Sequence, residues 1–373
     1  MSNVLFILGA GASAAGGCPV MGNFLARARQ LASTNPSSRL AGSYQQVLQV
    51  QQVLQRAQAK STIDYDNIES LFSAIEMAEL LGGFPDFGES RFAKSKAALL
   101  QLIADTIDAS QAISGTRTTN TKCPLTCAGP VDAKELTNWI LSMTDQPYRH
   151  RVSVVSFNYD IGLDLSLLST GFSIDYCLDR TQSHIESRVQ TNRPLVRLLK
   201  LHGSLNWVRE ATASGGSRIS FFNPYDLAIN QFLGDPSRTV LDTSEGRAPL
   251  ANGKGDALPF IVPPGESKSG YRDLIRNVWA NAFEAIQTAE VVVIAGYSLP
   301  ATDTFFNQLF ALGMASDAIV RKVHIVNPDS QARNRLSSLL GPAIRNRNDI
   351  LETSPGTLLE FVQWWKGLAV PAY

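Results

Sequence analysis

The sequence has few cysteines, no long hydrophobic run and no excess charge of either sign, and each shortage excludes a class of protein. Four cysteines among 373 residues are too few for a secreted scaffold held by disulfides. No apolar stretch approaches the roughly 20 residues that a transmembrane helix needs. Lysine plus arginine and aspartate plus glutamate number 33 each, so no strong overall attraction to nucleic acid or anionic lipid is expected. We therefore expect a cytoplasmic protein with no membrane span and no direct contact with nucleic acid.

Short apolar runs, rich in valine, isoleucine and leucine, predict the buried strands of a parallel sheet. They are Asn3–Leu8, Val152–Phe157, Arg197–Leu201, Val291–Ala295 and Lys322–Val326. Small or polar residues follow each run directly: Gly9–Ser13, Asn158–Asp160, His202–Ser204, Gly296–Ser298 and Asn327–Asp329. Because ligands bind outside the carboxyl ends of strands in an open parallel sheet, we expect these clusters to meet in one crevice.

The predicted strands leave two long stretches of chain between them. We expect one α/β domain over residues 1–373, with a Rossmann-like core of 1–24, 151–204 and 289–373, a helical insertion of 25–150 and a second insertion of 205–288. Helical patterns lie near Tyr44–Lys60, Arg91–Ala112 and Asp132–Met143, and Ser114–Pro130 has the composition of a loop. Asp66 and Glu69 are spaced as a capping box, and an amphipathic helix around Thr357–Leu368 carries Trp364 and Trp365.

The first glycine cluster favours a nucleotide site of an unusual kind. The segment Gly9-Ala10-Gly11-Ala12-Ser13-Ala14 follows the pattern G-x-G-x-x-A after a strand, which brings backbone close to a pyrophosphate. A dehydrogenase also needs a carboxylate about 20 residues further on to bind the ribose. Here the first carboxylate is Asp64, and residues 1–63 contain five basic residues. The chain either binds a dinucleotide in another way or has a tight turn there without a ligand.

The ordered motifs resemble those of the sirtuins. Gly9–Ser13 followed by Gly17-Cys18-Pro19 is similar to the sirtuin signature G-A-G-x-S-x-x-x-G-x-P. The family motifs Q-N-x-D, H-G and G-T-S-L, and its ribose-binding asparagine, match Phe157–Asp160, His202-Gly203, Gly296–Leu299 and Asn327. The resemblance covers about 1–22, 152–204 and 290–330, and it implies a sirtuin-type Rossmann fold that uses NAD.

Two departures from the sirtuin pattern indicate which branch of the family the chain is similar to. Val20-Met21-Gly22 stands where deacylases have D-F-R, and no cysteine occurs from 178 to 373, where they have a four-cysteine zinc site. We therefore expect no zinc, with the second insertion replacing the zinc ribbon, and Cys123 and Cys127 as loop cysteines without metal. These features resemble the sirtuin-like domains of bacterial antiphage defence systems, which hydrolyse NAD to nicotinamide and ADP-ribose.

The chemistry of NAD cleavage assigns candidate roles to the polar residues. His202 would act as a base or orient a ribose hydroxyl, and Asn158 can both donate to and accept from a water or hydroxyl. Asp160 would stabilise developing positive charge or bind the carboxamide, would cap the following helix, or would combine the two roles. Contacts to phosphate and ribose are expected from eight residues: Gly9, Ala10, Gly11, Ser13, Pro19, Gly296, Ser298 and Asn327. We expect structural roles for His150, His184 and His324.

An enzyme that drains NAD must be controlled, and the resemblance implies how. Its motifs end near residue 330, and the residues after them are too few for a sensor domain. We expect a homo-oligomer, and a separate sensor protein such as a helicase-like ATPase or an Argonaute-type protein, in an abortive-infection response. Two alternatives stay open: an NAD-dependent protein deacylase, and a non-catalytic sensor of NAD or ADP-ribose.

Overall fold

A sheet of eight strands forms the centre of the computed structural model, which describes residues 2–56, 62–83, 89–117, 125–145, 149–178, 184–187, 193, 195–212, 215–233, 258–263, 271, 273–300 and 303–367. Along the chain the strands are β1 (Asn3–Leu8), β2 (Ser114–Arg117), β3 (Leu125–Ala128), β4 (Arg151–Ser156), β5 (Ser173–Asp175), β6 (His184–Ile185), β7 (Leu195–Lys200), β8 (Trp207–Ala211), β9 (Ser217–Phe221), β10 (Val291–Ala295), β11 (Lys322–Val326) and β12 (Leu351–Ser354). The order in the sheet is β12-β11-β10-β1-β4-β7-β5-β6, and every pair in it is parallel except β5 with β6.

The α-helices lie between and after these strands. They are α1 (Phe24–Thr34), α2 (Arg39–Arg56), α3 (Ile68–Leu80), α4 (Glu89–Ser110), α5 (Val131–Thr144), α6 (Gly162–Thr170), α7 (Pro224–Leu233), α8 (Arg276–Gln287), α9 (Thr304–Met314), α10 (Ser330–Leu339), α11 (Pro342–Arg345) and α12 (Leu358–Gly367). From β1 the chain advances through β4 to β7, and it later returns to β10, β11 and β12 on the other side of β1. Right-handed crossovers therefore place helices on both faces and make the carboxyl ends beside β1 the switch point of the sheet.

The register of the central strands brings their carboxyl ends level. Leu8 pairs with Ala295 on one side and with Ser156 on the other. Ala295 pairs with Val326, and Ser156 pairs with Lys200. The five predicted strands are thus confirmed as the five adjacent strands β11, β10, β1, β4 and β7, with ends shifted by one or two residues at β4 and β7. The loops that follow them begin at the same height on one edge of the sheet.

The terminal helix packs onto the sheet through aromatic side chains. Trp365 is 3% exposed, and its ring centroid lies 5.1 Å from that of Trp139 on α5. Trp139 in turn meets Phe6 of β1 edge-on at 5.0 Å. Trp364 remains 48% exposed on the outer side of α12. The predicted amphipathic helix therefore packs on the core through Trp365, whereas Trp364 faces outward.

A second hydrophobic cluster is built by α1 to α4 and extends over the carboxyl edge of the sheet. Its centre includes Leu71, Phe72 and Leu102, all of which are fully buried. The same cluster includes Tyr159 and Leu205, which belong to the loops after β4 and β7. The helices between β1 and β4 thus cover the edge at which the functional motifs were expected. The domain boundaries drawn from the sequence stay a prediction.

Two local predictions in this region are wrong. Asp66 and Glu69 form no capping box, because the cap of α3 is Asn67, whose Oδ1 accepts from the Glu69 amide at 2.8 Å. Asp66 accepts a hydrogen bond from Gln51 Nε2 at 2.6 Å instead. Part of the predicted loop Ser114–Pro130 is an antiparallel pair of strands, β2 and β3, because its threonines favour strands and backbone pairing outweighs the glycine content.

The second insertion is described in part. Strands β8 and β9 form an antiparallel hairpin, and α7 follows them. Residues 258–263 return to the sheet edge, where Gly203 forms an isolated bridge with Ile261. The sequence of Gly234–Asp256 predicts a turn-rich stretch, and these residues lie outside the described part of the chain. Within the part that the structure describes, no helix has both the length and the hydropathy to cross a membrane.

His324 on β11 is buried among aromatic rings, 4.6 Å from Trp365 between ring centroids. Glu352 Oε2 lies 3.4 Å from its Nδ1 and favours the protonated ring, while Lys322 opposes protonation. Burial, and then Lys322, outweigh the effect of Glu352 and lower the pKa of His324 to about 3. Between about pH 6.5 and pH 3, His324 therefore binds a proton in the unfolded chain but not in the folded chain.

We expect His324 to make the protein acid-sensitive. Its contribution to the free energy of unfolding is complete above about pH 6.5 and falls by up to about 1.4 kcal/mol per pH unit towards pH 3. Urea unfolding between pH 7 and pH 4 should show a shallower pH dependence for His324→Leu than for the wild type. His184→Leu is the control, because the His184 side chain is 54% exposed. Parallel pH profiles for the wild type and His324→Leu would contradict the assignment.

Candidate functional site at the carboxyl edge of the sheet

The loop after β1 interlocks with the loop after β10. The Gly11 amide donates to Gly296 O at 2.9 Å, and the Gly9 amide donates to Ala295 O at 3.1 Å. Gly296 has a φ of +62°, and a Cβ added to it would lie 2.1 Å from the Ala12 nitrogen. Glycine at 296 is therefore required both by its backbone conformation and by the approach of the two loops.

The glycine loop leads into one short 3-10 helix, Ala10–Ser13, and the first α-helix begins only at Phe24. No α-helix therefore begins directly after the glycines, and the chain turns again at Gly17, which has a φ of +96°. Pro19 is buried, whereas Ala10 is half-buried beside the interlock. A phosphate here would have to use loop amides rather than the end of an α-helix.

Asn158 ties the loop after β4 to the glycine loop. Its Nδ2 donates to Gly9 O at 3.0 Å and to Ser13 Oγ at 2.9 Å. Ser13 Oγ donates in turn to Asp160 Oδ2 at 2.8 Å. Asn158 Oδ1 is buried and accepts no hydrogen bond from any residue that the structure describes. An unpaired buried acceptor is unfavourable, so this oxygen is available to a hydroxyl donor from a ligand.

Asp160 binds both the glycine loop and the start of α6, although the N-cap of α6 is Ile161. Its Oδ2 accepts from Ser13, while its Oδ1 accepts from the Gly162 amide at 3.0 Å at the start of α6. The residue is 7% exposed. It therefore stabilises the first turn of α6 and the Ser13 hydroxyl at the same time.

His202 sits in an aromatic cluster at the end of β7. The Phe157 ring meets its imidazole edge-on at 5.1 Å, and the Tyr159 ring stacks over it at 6.3 Å. Asp303 Oδ1 lies 3.9 Å from His202 Nε2, and Asp303 Oδ2 accepts from the Tyr297 hydroxyl at 2.9 Å. Burial, and then Asp303, raise the pKa of Tyr297, so this hydroxyl stays a donor. A protonated imidazole would find a counter-charge in Asp303.

The loops after β10 and β11 hold each other. Asn327 Nδ2 donates to Tyr297 O at 3.0 Å, and Asn327 Oδ1 accepts from the Asp329 amide at 2.9 Å. Both ends of this amide are thus engaged within the protein. Ser298 is exposed at the rim, where its carbonyl accepts from Arg335 Nη2 at 2.8 Å.

The sequence-predicted residues are therefore brought together at one edge. Hydrogen bonds link the glycine loop, Asn158, Asp160, Gly296 and Asn327 through their loops, and His202 joins them through the Phe157 and Tyr297 rings, which stack at 4.3 Å. Ser298 and Pro19 lie on the same loops but at the rim and in the interior, respectively. The catalytic and binding roles assigned to these residues stay predictions.

A cavity of about 20 Å³ lies beneath the glycine loop, with room for about one water molecule. Ser13, Asn158 and Asp160 line it, together with residues that sequence reasoning missed, Asp132, Asp164 and Lys200. Asp132 Oδ2 accepts from the Gly16 amide at 2.8 Å, and burial, then the nearby Asp160, raise the pKa of this carboxyl. Among these missed residues, only Lys200 could have been noticed in the sequence, because it is a charged residue inside the apolar run that precedes His202.

Among the described residues, no group of three or more histidine, cysteine, aspartate and glutamate side chains is arranged to hold a metal ion. Cys127 is buried, and burial raises the pKa of the Cys177 thiol to about 12. Cys123 lies outside the described residues. The expectation that the chain binds no zinc stays a prediction.

Comparisons with known proteins give structural similarity only. Neither a protein-family model nor a curated protein matches the chain. One similar solved structure is Sir2 in complex with the inhibitor EX-527, 2'-O-acetyl-ADP-ribose and a deacetylated p53 peptide; it is 12% identical, with a TM-score of 0.38 over 98% of this chain and 92% of that one. Another is a Sir2 homologue, a serine-to-alanine mutant in complex with ADP-ribose; it is 15% identical, with a TM-score of 0.41 over 99% and 96% of the two chains. Similarity at this level assigns no activity.

The interlock of the two glycine loops predicts a sharp difference between two glycine substitutions. Gly82→Ala is the matched control for Gly296→Ala, because Gly82 also has a positive φ, +72°, but its added Cβ meets nothing within 4 Å. Backbone strain alone should lower the free energy of unfolding by about 1–3 kcal/mol at Gly82, and the clash should make the loss at Gly296 larger than that. Equal losses in urea unfolding of the two variants would show that the loops do not interlock.

Proposed function

We propose that the protein is an NAD hydrolase that releases nicotinamide and ADP-ribose. The observation that carries the proposal is the buried, unpartnered Oδ1 of Asn158, at the switch point of the sheet and next to the aromatic cluster around His202. A ribose hydroxyl is a donor of the kind that this oxygen lacks. The ordered resemblance of the five loops to sirtuin motifs selects NAD as the dinucleotide.

The residues at the carboxyl edge of the sheet have different roles in such a reaction. Asn158 holds a ribose hydroxyl or the attacking water, and the glycine loop lies beside it for the pyrophosphate. Breaking the glycosidic bond sends its electron pair to the nicotinamide nitrogen, which leaves neutral. Water forms the new bond to the anomeric carbon, and His202 accepts the water's proton. Asp303, 3.9 Å from His202 Nε2, stabilises the imidazolium that results.

The side chain of His202 is largely shielded from bulk water, which favours the proposed proton transfer. The His202 side chain is 11% exposed, and the rings of Phe157 and Tyr159 cover it. Electrostatic interactions are stronger in such a site than in water. Asp160 lies on the same loop as Asn158 and adds negative charge near a ribose that becomes cationic in the transition state.

Substituting the two central residues tests the proposal. His202→Ala and Asn158→Ala should each lower the rate of nicotinamide release from NAD by roughly 10²–10⁴-fold, the range typical of a lost general base or positioning group. His184→Ala is the matched control, since His184 is exposed and lies on β6, away from the five loops. Thermal melting should show that each variant remains folded. Near wild-type turnover in a folded His202→Ala protein would contradict the assignment.

Two further arms of the same assay separate the alternatives. Nicotinamide release that requires an added acetyl-lysine peptide would identify a deacylase instead. Binding of NAD without any release would identify a sensor. Because we propose no zinc site, chelators should leave the release of nicotinamide unchanged, and elemental analysis should find far less than one zinc per chain.

We infer from the family resemblance that this activity depletes NAD in an antiphage defence response and is controlled by assembly or by a separate sensor protein. Surfaces that the sheet does not need are available for such contacts. Trp364 is 48% exposed on α12, and Phe305 and Leu312 are 47% and 62% exposed, seven residues apart along α9. Phe305 and Leu312 are about two helical turns apart and so lie on one face of α9, and contiguous exposed apolar side chains are typical of interaction surfaces.

We expect the isolated chain to be a homo-oligomer. Multi-angle light scattering should give a mass above the 40.5 kDa of one chain, and Trp364→Lys together with Leu312→Lys should shift it towards the monomer. Leu80→Lys, at a 78% exposed position on α3, is the control for added surface charge. A strictly monomeric chain with full NAD hydrolysis in the absence of any partner would contradict this part of the proposal.

A further inference from the structure

A closed ring of buried hydrogen bonds lies directly behind His202; we call it the Lys200 ring. Lys200 Nζ donates to Ser204 Oγ at 2.7 Å, and Ser204 Oγ donates to Asn206 Oδ1 at 2.7 Å. Asn206 Nδ2 donates to the Tyr176 hydroxyl at 3.1 Å, and that hydroxyl donates to Asp164 Oδ1. Lys200 Nζ closes the ring on Asp164 Oδ2 at 3.1 Å. None of the five residues is more than 1% exposed.

The direction of every bond in the ring is consistent. Burial and the adjacent Asp164 carboxylate raise the pKa of Tyr176, so its hydroxyl keeps the proton that it donates. Asn206 donates from its amide nitrogen and accepts at its amide oxygen. The charge of Lys200 is balanced by Asp164, which satisfies the requirement that a buried charge be paired.

Lys200 also reaches outside the ring, to the loop that carries Asn158. Its Nζ donates to Asp160 O at 2.6 Å, so its three protons go to Asp160, Asp164 and Ser204. The Leu205 amide donates to Tyr159 O at 3.0 Å and ties the same two loops a second time. His202 lies on the short turn between Lys200 and Ser204. The Lys200 ammonium group binds the Ser204 hydroxyl and so joins the two ends of this turn.

The turn itself leaves little freedom to His202. Gly203 has a φ of +84°, and a Cβ on it would lie 2.1 Å from Phe260 O. The Val262 amide donates to His202 O at 2.8 Å from the other side. The backbone of the turn is thus held by residues 260–262, and the Lys200 ammonium fixes its distance from the Asn158 loop.

We infer that Lys200 is a positioning residue for the proposed reaction: its ammonium group sets the distance between the loop of Asn158 and Asp160 and the turn of His202. The expected effect on kcat rests on the proposed function. The distance between the Asn158 loop and the His202 turn, in contrast, is a property of the folded chain. Buried ion pairs contribute little net stability compared with apolar residues of the same size. A lysine that only filled space at the end of β7 could therefore be replaced by methionine together with a neutral partner at 164 without any effect on His202.

The test compares Lys200→Met/Asp164→Asn with the wild type and with Arg197→Met. The double variant removes both buried charges together, so that neither is left unpaired, and the amide oxygen introduced at position 164 would still accept from Tyr176. Arg197 is the matched control, a cation on the same strand that pairs with Glu284 at 3.4 Å and is 30% exposed. The measurements are kcat and KM for NAD, and the Cε1–H NMR signals of the four histidines, with that of His202 assigned from its loss in His202→Ala.

In the folded double variant kcat should fall about 10–100-fold while KM stays near the wild-type value, since a displacement of about 1 Å has effects of this size on the chemical step. The His202 signal and its titration should shift, while those of His150, His184 and His324 should not. Arg197→Met should leave both readouts unchanged. Wild-type kcat with an unmoved His202 signal would overturn the inference, and so would a lower kcat with an unmoved signal.

Two other outcomes are also decisive. If the double variant does not fold, Ser204→Ala removes two bonds of the ring, those with Lys200 and Asn206, without touching a charge, and the same two readouts apply to it. If the wild-type protein neither binds nor cleaves NAD, the proposed function is wrong, and the His202 signal alone then decides the inference. A shifted signal supports positioning by Lys200, and an unmoved one rejects it.

Discussion

The hydrophobic residues of α1 to α4 pack onto Tyr159 and Leu205 and thereby remove the loops after β4 and β7 from water. Polar groups at the carboxyl edge of a parallel sheet are normally free to bind solvent, but here they must find partners inside the protein. The Lys200 ring is the result on one side of the edge, and the chain of bonds from Asn158 through Ser13 to Asp160 is the result on the other. Asn158 Oδ1 stands out because the described residues leave it without a donor.

The same burial explains why two charged groups are tolerated so deep in the structure. Lys200 and Asp164 are each 1% exposed, and the unfavourable desolvation of both is offset only if every donor and acceptor is used. Tyr176, Ser204 and Asn206 supply the remaining bonds. A network in which every donor and acceptor is used fixes the positions of its side chains more than it adds to stability. Fixed positions of this kind suit the alignment that the proposed roles of His202 and Asn158 require.

The central sheet could be predicted from the sequence because strands covered on both faces are continuous apolar runs. Every residue of β10 is buried, and its predicted ends were right. Strands at or next to the edges of the sheet carry no such signal: Leu351–Ser354 has no buried residue, and β5 and β6 are too short to be recognised. The polar residues after the central strands were also predictable, since the chain must turn there and the level register brings the turns together.

What the sequence could not provide is the pairing of residues far apart in the chain. The acidic partner of Lys200 is 36 residues away, and Asp303 reaches His202 from the loop after β10. The capping residue of α3 was misplaced by one position, because asparagine and aspartate are nearly equal as caps and only the backbone geometry separates Asp66 from Asn67. Asn327 was expected to face a ribose, yet both ends of its amide bind neighbouring loops.

The interlock of the glycine loops also has a consequence for any dinucleotide bound at this edge. The Gly11 amide is engaged by Gly296 O at 2.9 Å, so a phosphate that takes this amide must first separate the two loops. Apparent affinity falls in proportion to the fraction of molecules that are open: if about 1% are open, binding is about 100-fold weaker than to the open form. A contact that favours the separated loops raises the apparent affinity for the dinucleotide. The gain cannot exceed the same factor, because it is complete once every molecule is open. For the NAD hydrolase proposed above, this would give assembly or a partner protein a physical route to control turnover without supplying a catalytic group.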